Sequence, residues 1–198
     1  MTKVFVAIDF PPEKGGIHDY AYGLISQIPS EEVTVLTNKI KDTVESNQFD
    51  RKADFEIIRK RIYWNSNKVL LILSQVILIL QLIILKWRRK TSEIHFVNVF
   101  PVGVAGPFMK AFFGMKYFPY VHGLDVMGMV NSRLFPLLMM ILKRSDKVIA
   151  NSQYTKSRLI ELGIHEHQIV IIPPGLNVSK LSGAAESVED IRDKYDLH

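Results

Sequence analysis

Three stretches put side chains capable of chemistry where apolar runs end. "DFPPEKGGIHDY" (9–20) follows the run "KVFVAI" and carries Lys14, the adjacent Gly15 and Gly16, and His18. "PYVHGLDV" (119–126) closes a second run with His122, Gly123 and Asp125, and "IANS" (149–152) closes a third with Asn151 and Ser152. Adjacent glycines uncover two backbone N–H groups at the positive end of a helix, which suits a diphosphate or another anion. A plain tight turn would use the same pair. An imidazole at a strand end either hydrogen-bonds a ligand at a reacting centre or is a satisfied structural histidine. Asp125 either contacts a ligand or caps the next turn, and Ser152 serves equally well as a helix N-cap. Lys14 reads as a solvated neighbour of the glycines. Gly103 and Gly106 in "FPVGVAG" permit close backbone approach near a cleft, although loop geometry alone would select them too.

Several chemistries are excluded. A hydride-transfer domain would show G-x-G-x-x-G directly after the first strand and an acid at the end of the second. Here the first run is followed by Asp9, Phe10 and two prolines, and the second ends in Thr37-Asn38. The chain has no cysteine, so disulfides, thiolate metal sites and a cysteine nucleophile are absent, in agreement with a reducing compartment. Neither His95 nor the pair His165 and His167 has a partner at metal-ligand spacing. The formal net charge is +5, and its basic excess gathers at "RKRIYW" (59–64) and "KWRRK" (86–90) rather than in a long stripe. That distribution fits an anionic membrane surface or a solvated helix end, and does not suggest nucleic acid.

The elements that must position these residues alternate. Apolar runs of strand type occupy 3–8, 32–37, 54–59, 93–100, 116–122, 146–152 and 168–175. Ile17, Ala21, Leu24, Ile25 and Ile28 recur at helical spacing before Pro29. Residues 132–144 read as a helix that Pro136 opens or interrupts, and 152–163 as a helix between Ser152 and Gly163. Strands alternating with helices predict an α/β fold, a Rossmann-like parallel sheet with helices on both faces. Such a sheet places its site at the carboxyl ends of the strands, where Gly15, Gly16, His18, His122, Asp125, Asn151 and Ser152 all fall.

The segment "VLLILSQVILILQLIILKW" (69–87) reads as a helix and allows three placements. Its apolar length reaches the lower limit for a membrane span. Asn67, Ser74, Gln81 and Arg88, seven apart, form a narrow polar stripe. That stripe favours a helix packed on the sheet and exposed along one polar edge. A helix lying on a membrane or a partner is the second placement and a true span the third, which would split the sheet.

The motifs together resemble a known family. "PPEKGGIHDYAYGL" resembles the first loop and helix of the family-four retaining glycosyltransferases, which have the two-domain GT-B architecture. "PYVHGLDV" resembles their "HG-x-D" strand end. "SDKVIANSQYTKSRLIELGI" followed by "QIVIIPPGLNV" resembles their run from the sixth strand to the interdomain connection. The resemblance covers residues 3 to 178. It implies an N-terminal, acceptor-side domain at 1–178 and a linker at 179–198 leading to a C-terminal domain that holds most of a nucleotide sugar. It implies that Gly15 and Gly16 close over the donor diphosphate, and that His122, beside Gly123, contacts the donor sugar and supports catalysis. His18 would reach acceptor or phosphate, and Asp125, Asn151 and Ser152 would border the same cleft.

The family's E-x7-E pair is missing, and Glu186 and Glu189 do not supply it. The chain is therefore expected to fold but not to transfer sugar without a second domain. No cofactor or metal is expected, because the helix dipole and basic side chains would hold the diphosphate. Expected partners are a nucleotide sugar, a lipid-linked or glycan acceptor, and a membrane surface met through 69–86 and its basic flanks, which implies a cytoplasmic, peripheral location. The alternative is a non-catalytic Rossmann-like binding module that pairs with a partner chain or a membrane.

Overall fold

In a computed structural model, residues 2–40, 43–63 and 68–175 are described. Asn67, Trp64 and the linker assigned to 179–198 lie outside them. All seven expected strands form: β1 (Thr2–Ala7), β2 (Val33–Thr37), β3 (Glu56–Arg59), β4 (Thr91–Phe96), β5 (Lys116–Val121), β6 (Val148–Ala150) and β7 (Ile169–Ile171). They make one sheet in the order β3-β2-β1-β4-β5-β6-β7, and every pairing is parallel. The order reverses between β1 and β4, so the chain has a topological switch point there. In open α/β sheets ligands bind outside the carboxyl ends at that point.

Among the described residues seven α-helices accompany the strands: α1 (Gly16–Ile25), α2 (Thr43–Lys52), α3 (Lys68–Arg89), α4 (Ala105–Phe113), α5 (Leu124–Met127), α6 (Phe135–Arg144) and α7 (Gln153–Glu161). Two cores result, one per sheet face. Val4, Val6, Ile94, Phe96 and Tyr117 pack under α3, α4 and α6 through Leu78, Leu82, Met109, Leu138 and Ile141. On the opposite face Phe5, Val35, Tyr120 and Ile149 pack under α1 with Phe10, Tyr20, Ala21 and Ile25. Burial on both faces explains why the strands read as unbroken apolar runs.

The local signals act as their chemistry demands. The Ser152 hydroxyl accepts from the Thr155 N–H at 3.1 Å and caps α7. Gly163 stops that helix in the left-handed region, with φ 84°. Pro136 opens α6 instead of interrupting it, where its missing N–H costs nothing. Three helices, α2, α4 and the four-residue α5, gave no sequence signal. α2 is polar, with Phe49 its main apolar contact to the core. α4 begins within the glycine-containing "FPVGVAG".

That segment requires a correction. Gly103 and Gly106 serve packing, not a cleft. A Cβ on Gly106 would stand 2.6 Å from Cδ2 of the buried Tyr117, and one on Gly103 would stand 3.3 Å from Ile141 Cγ2. These glycines let α4 and the turn before it close onto β5 and α6.

A second correction concerns α3. Its polar stripe does not form the exposed edge: Ser74 is fully buried and Gln81 half-buried. Ser74 tolerates the core because its hydroxyl donates to the Leu71 carbonyl of the same helix at 2.7 Å. Ser74, Leu78, Leu82 and Leu85 form the inner face, while the face turned to solvent is apolar, with Val69 73%, Ile72 66%, Val76 48%, Leu80 52% and Trp87 72% exposed.

Candidate active site

The glycine turn sits where β1 ends. Gly15 is the N-cap of α1 and its backbone is extended, so conformation alone does not demand glycine there. Space is the tighter constraint, since a Cβ would lie 3.3 Å from the His18 ring. His18 folds back on the turn, and its Nδ1–H donates to the Glu13 carbonyl at 2.9 Å. No side chain caps α1. The first-turn N–H groups are thus left facing outward at the positive end of the helix dipole. A Cβ on Gly16 would meet nothing within 4 Å, so the approach to these amides is open.

His122 follows β5 on the same edge. Its Nε2 lies 3.2 Å from the Val97 carbonyl. A carbonyl only accepts, so Nε2 carries the proton and Nδ1 keeps its lone pair. Burial pushes the imidazole pKa below its ordinary value, while the Asp125 charge and the bond to Val97 pull it back up. The ring is therefore neutral near pH 7, with an acceptor nitrogen that suits a hydroxyl donor. Gly123 takes φ 84° to turn the chain into α5, a conformation that disfavours a side chain. Asp125 stands in the first turn of α5, and its Oδ2 is buried without a hydrogen-bond partner among the described residues.

The two stretches meet through Tyr20. Its ring stands edge-on to His122 at 5.2 Å between centroids, and its hydroxyl donates to the Ile172 carbonyl at 2.8 Å. Burial raises the Tyr20 pKa to about 12, so it remains a neutral donor. The edge is knit further by Ile8 N–H to Asn98 Oδ1 (2.9 Å), Val97 N–H to Val6 carbonyl (2.9 Å) and Asn151 N–H to Val121 carbonyl (3.3 Å). The ends of β1, β4, β5 and β6 thus form one hydrogen-bonded rim that spans the switch point.

Asn151 and Ser152 lie on that rim, but their side chains turn into the α7 cap. The Thr155 hydroxyl donates to Asn151 Oδ1 at 2.8 Å and stands 3.0 Å from Ser152 Oγ. Sequence reading missed three members of the rim: Tyr20, Asn98 and Thr155. Asn98 had a faint signal, as a polar residue one place past an apolar strand. Tyr20 had none, because its partner Ile172 lies 152 residues away.

A seven-stranded parallel sheet with an open helix N-terminus and a neutral strand-end imidazole on one rim defines a Rossmann-like α/β domain with its candidate site at the carboxyl edge. The chain belongs to Glycosyltransferase Family 4, which it matches over residues 14–180. It is 21% identical over 199 residues to the GDP-mannose-dependent alpha-(1-6)-phosphatidylinositol monomannoside mannosyltransferase of Mycolicibacterium smegmatis, covering 98% of this chain and 49% of the relative. In fold it resembles Anabaena Alr3699/HepE in complex with UDP, with a TM-score of 0.71, 13% identity, and coverage of 98% of this chain and 50% of that one. It also resembles sucrose-phosphate synthase of Thermosynechococcus elongatus, with a TM-score of 0.64, 15% identity, and coverage of 93% and 52%. The chain thus spans about half the length of the relatives it matches.

Proposed function

We propose that this chain is the acceptor-side half of a retaining glycosyltransferase, which moves a sugar from a nucleotide-sugar donor to a lipid-linked or glycan acceptor at the cytoplasmic face of a membrane. The observation that carries the reading is the single rim joining the uncapped α1 N-terminus at Gly15 and Gly16 to His122 through Tyr20. The α1 amides and the glycine turn would receive the diphosphate, whose negative charge grows as its bond to the sugar C1 breaks. The neutral His122 would accept a hydrogen bond from a sugar hydroxyl at Nδ1. His18 and Asp125 would border the acceptor. The inward-turned side chains of Asn151 and Ser152 give those two residues a shaping role through the α7 cap. Stabilisation of the leaving group rests here on amides and a dipole, with no metal required. Support comes from relatives whose names state the chemistry: HepE was solved with UDP and glucose, and the mannosyltransferase uses GDP-mannose.

Transfer requires donor and acceptor to be fixed together in a water-poor cleft. This half alone offers one wall, so the 198-residue chain is expected to fold and not turn over. The test is a panel of sugar nucleotides assayed against the chain joined to a family-type C-terminal domain. In that protein His122→Ala should lower kcat about a hundredfold with little change in donor affinity. Unchanged kcat would overturn the role of His122, and transfer by the 198-residue chain alone would overturn the half-site reading.

A further inference from the structure

Among the described residues nothing covers the outward face of α3, and its composition says what fits it. Val69, Ile72, Leu73, Val76, Leu80 and Ile84 are each 42% or more exposed and recur at three- and four-residue steps. They lie on the opposite side of the helix from the buried Ser74, Leu78, Leu82 and Leu85. Beside α3 on the same sheet face, α4 exposes Phe108 (38%) and Phe112 (72%). Between Glu56 and Glu93 the chain has no carboxylate and eight basic residues. Arg59 is held in an ion pair with Asp50 and Arg89 in one with Glu56, and the exposed cations are Lys60 before the helix and Arg88 and Lys90 at its end. An apolar ridge with cations at both ends complements an anionic lipid surface, with acyl chains under the ridge and headgroups at its ends. A second copy on this face would set like charges together.

We propose that α3 is an in-plane bilayer anchor: its outward ridge sinks to the headgroup–acyl boundary of anionic lipid while its inner face stays in the protein core. The inner face excludes a span, because Leu78, Leu82 and Leu85 are 0%, 0% and 5% exposed and belong to the core shared with β1 and β4. The 22 residues of α3 run the full height of the sheet, from the carboxyl edge after β3 to the amino edge before β4. A helix lying flat therefore lays the strands flat too. The rim carrying Gly15 and His122 then opens sideways at headgroup level, where a lipid-linked acceptor can enter without leaving the membrane. This orientation deepens the function proposed above and, for the identity of the acceptor, rests on it.

The test uses Trp87, which is 72% exposed on the ridge. Trp64→Phe leaves it the single tryptophan of the chain, which has two. The 198-residue chain is titrated with phosphatidylcholine vesicles with and without phosphatidylglycerol. The expected result is a blue shift of Trp87 emission with the anionic vesicles, quenching by acyl-brominated lipid, and release by salt. Ile72→Glu/Val76→Glu/Leu80→Glu should weaken partitioning at least about tenfold, with an unchanged circular-dichroism spectrum and unchanged transfer to a soluble acceptor in the two-domain protein. Three results would overturn the proposal: no shift with anionic vesicles, equal binding by the triple variant, or a dimer abolished by those substitutions in a chain that ignores vesicles. Vesicle binding is read without catalysis, so failure of sugar transfer leaves the anchor standing, and failure of the anchor leaves the transfer reading standing.

Discussion

His95 makes acid stability a direct test of the sheet's α1-side core. Its ring is sandwiched between Phe5 and Phe118, at 4.5 and 4.8 Å, and its Nδ1 lies 3.1 Å from the Tyr120 hydroxyl. Burial, helped by the Lys3 charge, drives its pKa from 6.5 down to about 3. The unfolded chain therefore takes up a proton that the folded chain refuses. Stability from this residue is fully present above pH 6.5 and drains as pH falls toward 3. At pH 5 the linkage amounts to about 2 kcal/mol. The Glu93 carboxylate, 3.7 Å from Nε2, favours the charged ring and makes that figure a ceiling. His95→Phe keeps an aromatic ring in the stack and removes the proton. It orphans the Tyr120 hydroxyl at a cost of about 1 kcal/mol that does not vary with pH in this range. Urea unfolding at pH 7.5, 6 and 5 should show the wild type losing 1–2 kcal/mol more than His95→Phe over the interval. The depressed His122 is common to both proteins and cancels. Parallel losses within about 0.5 kcal/mol would refute the reasoning.

Three further outcomes follow from contacts already described. Gly106→Ala forces a methyl against Tyr117, whose hydroxyl donates to the Ile141 carbonyl at 2.7 Å, and should cost about 1–3 kcal/mol in thermal unfolding. Ser152→Ala removes the α7 cap and should cost about 1 kcal/mol, with donor affinity of the two-domain protein unchanged if the hydroxyl is structural. Gly123→Ala must hold a side chain at φ 84°, and should cost about 1–3 kcal/mol in unfolding and lower sugar transfer by the two-domain protein by displacing His122.

The strands were legible because a sheet buried on both faces leaves unbroken apolar runs, and the rim was legible because glycine and histidine at strand ends break them. The missed parts have physical reasons. α2 makes few apolar contacts and so shows no periodicity. Ser74 looked like solvent-facing polarity because a sequence does not reveal that a hydroxyl is satisfied by its own helix. The side of α3 turned to water was consequently misread, although the helix itself was not. Tyr20 escaped because its importance comes from a ring and a carbonyl that only folding brings near. The two glycines of "FPVGVAG" were noticed for their freedom of backbone, whereas the structure uses their lack of bulk.

The Tyr20–Ile172 bond also makes the rim a mechanical junction. Ile172 is the first residue past β7, and its carbonyl holds the hydroxyl of the ring that stands against His122. A tug on the polypeptide just beyond the sheet is therefore felt at the imidazole through a single phenol. The position of the Ile172 carbonyl and the placement of the His122 ring are thus coupled through one side chain.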